Sequence, residues 1–145
     1  MKILVINGPN LIFLGIREKN IYGNQDYDYL IKMIEDHAAE KGIEINCFQS
    51  NHEGAIIDKL QESYFDGTDG IVINPGAYTH YSYAIHDALK SLEKPVKVEV
   101  HISDITTRED FHSPSWHNKN YAPTQRTFFS FQSHWAWGSG SMAEY

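Results

Sequence analysis

Arg17 and Tyr22 stand five positions apart in a short polar loop. A phenol ordinarily titrates near ~10 and is a poor base at neutral pH. A guanidinium beside it stabilises the phenolate and stays charged while doing so. The pair therefore has the makings of a general base. A surface arginine next to an aromatic plug satisfies the same spacing. Glu99 and His101 make a second pair, two residues apart. In extended chain they point to one sheet face. A carboxylate beside an imidazole orients the ring and favours its protonated form, which suits a general acid. A salt-bridged histidine at a strand end is the plainer reading. Ser103 and the adjoining backbone N–H groups are suited to hold a carboxylate.

The elements that must position these groups follow from periodicity. Ile3-Leu4-Val5-Ile6 reads as a buried strand, stopped by the turn chemistry of Asn7-Gly8-Pro9-Asn10. Tyr27 to Lys41 reads as an amphipathic helix with Tyr27, Leu30, Ile31, Ile34 and Ala38 at helical spacing, and Gly42 ends it. Ile43 to Phe48 alternates as a strand and runs into Gln49-Ser50-Asn51-His52. Glu53 to Ser63 is a second helix, with Ile56, Ile57 and Leu60 inward. Gly70 to Asn74 is a third strand, stopped by Pro75-Gly76. Ser82 to Leu92 is a third helix with Ser82 as its N-cap, and Val96 to Val100 a fourth strand. Thr127 to Phe131 is a candidate fifth strand.

Strands that alternate with helices favour a parallel sheet with right-handed crossovers. The expected fold is α/β, a flavodoxin-like three-layer sandwich with a parallel five-stranded sheet and the first strand central. In such sheets ligands bind outside the carboxyl ends of the strands. Every strand here ends in hydrogen-bonding residues: Asn7 and Asn10; Gln49, Asn51 and His52; Asn74 and His80; His101 and Ser103. One asparagine at a strand end merely satisfies a turn. All four ends together, beside Arg17 and Tyr22, describe a polar pocket. Asp87, on the third helix, is by default a solvated charge.

Composition narrows the partners. Twelve Lys and Arg against 19 Asp and Glu give a net charge of −7, with no basic run, so nucleic acid is not an expected partner. The single cysteine, Cys47, excludes a disulfide framework and a cysteine-based zinc site. No apolar run approaches the ~20 residues of a membrane span. A signal peptide is not expected from an opening interrupted by Gly8-Pro9, and the expected location is cytoplasmic. There is no HExxH, glycine-rich phosphate loop or Gly-x-Ser-x-Gly elbow. One domain is expected over residues 1–135, atypical from about His112, followed by a flexible tail at 136–145.

The same residues carry a specific likeness. Asn7-Gly8-Pro9-Asn10-Leu11, Leu14-Gly15-Ile16-Arg17-Glu18 and Ile21-Tyr22-Gly23 resemble the opening signature of type II 3-dehydroquinate dehydratases. So do Phe48 to Gly54, Ile73 to His80, and Val98 to Ser103 followed by Arg108-Glu109 and Phe111. The likeness runs in order from residue 1 to about 111. It implies a flavodoxin-like sandwich and reversible loss of water from 3-dehydroquinate to give 3-dehydroshikimate, in the shikimate pathway, with no metal or organic cofactor. It implies Tyr22, as phenolate beside Arg17, as the base that forms an enolate. Asn10 would hold a water at the developing oxyanion. His101, oriented by Glu99, would protonate the leaving hydroxyl. Asn74, Ile102 (through its backbone) and Ser103 would anchor substrate, and His80 would bind a ring hydroxyl. Asp87 would reach the site of a neighbouring subunit in a trimer-based homo-oligomer, commonly a dodecamer.

The chain departs from the family pattern at Ile12, Asp104 and Thr106, and His112 stands in place of a substrate-binding arginine. Beyond Ser115 the family's glycine-rich final strand and helix are not recognisable. These departures motivate a second reading, a catalytically impaired small-molecule-binding protein on the same scaffold. A flavin- or phosphate-binding module is a third, and it lacks the expected phosphate loop.

Overall fold

The computed structural model describes residues 1–16 and 25–102, and the backbone of residues 125–128. Five strands form one sheet: β1 (Lys2–Asn7), β2 (Glu44–Gln49), β3 (Gly70–Asn74), β4 (Val96–His101) and β5 (Gln125–Phe128). Their order is β2-β1-β3-β4-β5 and every pairing is parallel. This is the flavodoxin-like order of doubly wound sheets. The first strand is interior, paired on both edges, but β3 holds the centre. Strand alternation alone does not encode lateral order, so the expectation of a central β1 had nothing to fix it. The fifth strand starts earlier than the expected Thr127, its register on β4 beginning at Gln125 opposite Val98. The expected tail at 136–145 lies outside the described residues.

Three helices connect the strands: α1 (Tyr27–Glu40), α2 (Glu53–Phe65) and α3 (Tyr83–Ser91). Two of them start on a capping side chain. The Asp26 side chain accepts from the Tyr29 N–H to cap α1, and the Ser82 hydroxyl accepts from the Ile85 N–H at 3.0 Å to cap α3. Gly42 follows α1 with φ +63°, the left-handed turn that glycine adopts without steric cost.

Side-chain parity sorts the layers. Leu4 and Ile6 of β1 and Ile71 and Ile73 of β3 pack with Ile56 and Leu60 of α2 and Ile85, Leu89 and Leu92 of α3 and its C-cap. These nine buried residues are the core, and burying each such side chain contributes about 1.5–3 kcal/mol. α1 lies on the other face, where the Asn7 amide donates to the Tyr27 hydroxyl at 3.4 Å. The apolar stripe of α1 is only half-buried apart from Ala38. No helix among the described residues is long and apolar enough to cross a membrane.

The carboxyl ends of β1, β3 and β4 lie side by side. The Gly8 N–H donates to the Asn74 carbonyl at 2.7 Å, and the Ser50 N–H to the Asn7 carbonyl at 3.0 Å. A Cβ on Gly8 would sit 2.6 Å from the Pro75 carbonyl oxygen, so only glycine lets these strand ends approach this closely.

Candidate functional site

At the end of β4 the expected pairing is present. Glu99 and His101 are both 5% exposed, and the His101 Nε2 lies 2.7 Å from the Glu99 Oε1. The two side chains meet because β4 stays extended through His101. A buried carboxylate needs partners to offset its lost hydration. Here the Thr79 hydroxyl supplies another, donating to the same Oε1 at 2.5 Å. Thr79 is fully buried. It lies in a 3-10 turn, Gly76–His80, that leaves the end of β3.

The other strand ends are tied into that turn. The Asn74 Oδ1 accepts from the Gly76 N–H at 3.1 Å, which leaves the side-chain amide nitrogen as the donor end of this buried asparagine. His80, the last residue of the turn, is buried at 5% exposure. The Tyr78 hydroxyl donates to the Asn51 carbonyl at 2.9 Å, linking the turn to the loop after β2. Across that loop the Asn51 Oδ1 accepts from the Asn10 backbone N–H at 3.0 Å. Asn10 is exposed and holds φ +66°, a conformation that asparagine tolerates better than most residues. Gln49 donates to both the Gly8 carbonyl and the Asn51 Oδ1, each at 3.2 Å.

Thus Asn10, Asn74, His80, Glu99 and His101 gather along the carboxyl edge of the sheet, and Ile102 follows directly. Ile102 also borders a solvent-open hollow of about 350 Å³, lined mainly by apolar side chains of Leu14, Tyr29, Leu30 and Met33. Asn7 does not join the edge group, since its side chain turns under α1 to Tyr27. Burial pushes the Tyr27 phenol above its ordinary range, so it is not a base. Asp87 is exposed on α3. Arg17, Tyr22, Ser103 and His112 lie outside the described residues. Among those described, no three His, Cys, Asp or Glu side chains are placed to hold a metal ion.

Thr79 escaped the sequence reading although it sits inside the Asn74 to His80 block. Its only signal was a hydroxyl in a polar turn, and its partner is twenty residues further on.

Comparison with known proteins gives this edge a context. The family model described as dehydroquinase class II matches residues 1–126. A protein of Lachnospira eligens named 3-dehydroquinate dehydratase is 63% identical over 115 residues, covering 79% of this chain and 78% of its own. One of the same name from Lachnoclostridium phytofermentans is 67% identical over 111 residues, covering 77% and 76%. The crystal structure of a type II dehydroquinase from Butyrivibrio crossotus superposes with a TM-score of 0.82 at 61% identity, over 90% of this chain and 88% of that one.

Proposed function

This chain belongs to the dehydroquinase class II family, and we infer that it is a 3-dehydroquinate dehydratase, a hydro-lyase of the shikimate pathway. The observation that carries this reading is the buried Glu99–His101 pair at the carboxyl edge, 2.7 Å apart, in a chain matched by the family over residues 1–126.

The reaction sets two demands. A proton on the carbon next to the ketone is weakly acidic, so its base must be strong yet ionised near neutrality. Tyr22 beside Arg17 meets both conditions, and takes that proton to leave an enolate. Asn10 holds a water against the enolate oxygen, where negative charge develops. Hydroxide is a poor leaving group, so as the carbon–oxygen bond breaks a donor must convert it to water. His101 is that donor. Its Nε2 bonds to Glu99, which orients the ring for that transfer. Asn74 donates through its side-chain amide to the substrate, the Ile102 backbone and Ser103 hold its carboxylate, and His80 takes a ring hydroxyl. The proton on Tyr22 then returns to solvent and His101 is reprotonated, which closes the cycle with water as the only by-product.

The exposed carboxylate of Asp87 is supplied to the site of a neighbouring subunit. The working form is accordingly a homo-oligomer, trimer-based and dodecameric as the family likeness implies, in the cytoplasm. The partner is 3-dehydroquinate, with no nucleic acid or membrane involved.

The test is the appearance of enone absorbance when 3-dehydroquinate is added to Tyr22→Phe and His101→Ala variants. Acid–base groups contribute roughly 10²–10⁴-fold each, and kcat is expected to fall by that much in both. Full activity in either variant would remove that residue from the mechanism.

A further inference from the structure

We propose that Thr79 is a positioning residue of the acid catalyst, holding the Glu99 carboxylate so that it fixes the His101 imidazole. The inference rests on the dehydratase reading for its catalytic consequence, and on three buried side chains for its geometry. The Thr79 hydroxyl and the His101 Nε2 converge on one oxygen, Glu99 Oε1, at 2.5 and 2.7 Å. Thr79 is 0% exposed, and Glu99 and His101 are 5% exposed each.

The physical need comes from the glutamate. Its last torsion joins a tetrahedral to a planar carbon and has broad, nearly two-fold preferences. A hydrogen bond to the imidazole constrains that torsion along β4, and the Thr79 hydroxyl constrains it from a different element. The Thr79 backbone is fixed by the turn it occupies: the Tyr78 N–H donates to the Pro75 carbonyl at 3.2 Å, and the Ser82 N–H to the Tyr78 carbonyl at 2.9 Å. The hydroxyl is thereby referenced to the end of β3, whereas Glu99 and His101 belong to β4. Thr79 ties the acid to the neighbouring strand end, where Asn74 stands ready to orient the substrate. A carboxylate held this way fixes the orientation of the His101 ring through its Nε2.

The consequence is a loss in kcat rather than in KM, because the hydroxyl is fully buried and bonded to Glu99. Thr79→Val keeps the shape and removes the donor. A hydrogen bond to a charged group is lost, and kcat is expected to fall roughly tenfold with KM changed less than about twofold. Thr79→Ser restores the donor and is expected to bring kcat back to within about threefold of the parent. Thr79→Ala provides the same deletion without a buried methyl facing the carboxylate, should the valine variant not fold. Proton NMR supplies a readout independent of turnover. The downfield ring N–H signal of His101, identified by its loss in His101→Ala, is expected to shift or broaden in the valine and alanine variants and persist in the serine variant. A parent chain without turnover would refute the dehydratase reading, while the NMR comparison would still decide the role of Thr79. Parental kcat with an unmoved N–H signal in folded Thr79→Val or Thr79→Ala would overturn the proposal. So would Thr79→Ser as impaired as Thr79→Val, since only packing would then matter.

Discussion

Glu99 has two jobs that conflict unless its surroundings reconcile them. In the proposed mechanism it stays charged to orient the imidazole, yet it is 5% exposed, where an unpartnered charge is costly. Two donors on Oε1 resolve the conflict. Glu99→Gln removes the charge while keeping the shape, so the imidazole loses its charged partner. A fall in kcat of roughly tenfold or more is expected, with unchanged circular dichroism. Undiminished kcat would show that the carboxylate is structural. This pairing was legible in the sequence because a strand has a period of two, which puts residues 99 and 101 on one face. Thr79 was not, because the contact crosses a turn and a gap of twenty residues. Asn7 and Asn74 show the limit from the other side. Both are polar strand ends, but one side chain is spent on Tyr27 and the other faces the site edge with its Oδ1 bound to Gly76.

The elements were readable wherever punctuation and period agreed. Gly70–Asn74 has the expected bounds, and Ser82 caps α3 as its hydroxyl and position suggest. The fifth strand is displaced from its expected start because a run of phenylalanines marks apolarity but not register. The tightest joint between elements is Gly8. Gly8→Ala would bring a methyl to within 2.6 Å of the Pro75 oxygen and force β1 and β3 apart at their carboxyl ends. Overpacking of this kind costs about 1–3 kcal/mol, and the Gly8–Asn74 hydrogen bond would lengthen with it. A lower urea midpoint together with reduced kcat is the expected outcome. An unaltered midpoint would mean that the strand ends yield without cost.

For the molecule as a whole, the two ends of the chain's early half are stitched by Lys2 and Asp66. Their charges lie 2.9 Å apart, with the side chains 24% and 27% exposed. Hydrogen bonds from Thr68 and then Lys2 hold the Asp66 carboxyl below its ordinary value of 3.8, and the bond to Asp66 holds Lys2 above 10.5. The Asp66 contribution is therefore complete above the ordinary carboxylate value and is lost as pH falls through its lowered one. That of Lys2 is complete below 10.5 and is lost as pH rises through its raised value. Solvent screening keeps both small. Asp66→Asn should lower the thermal midpoint at neutral pH, with the gap to the parent closing as pH falls below the ordinary carboxylate value. A gap that stays constant with pH would assign the effect to shape, not charge.

Catalysis also belongs to this scale, because Asp87 is proposed to act across subunits. The most direct measurement is steady-state conversion of 3-dehydroquinate by the purified full chain, with mass determined on the same sample. The account predicts enone formation by an oligomer. A correctly assembled oligomer that binds 3-dehydroquinate without converting it would contradict the account.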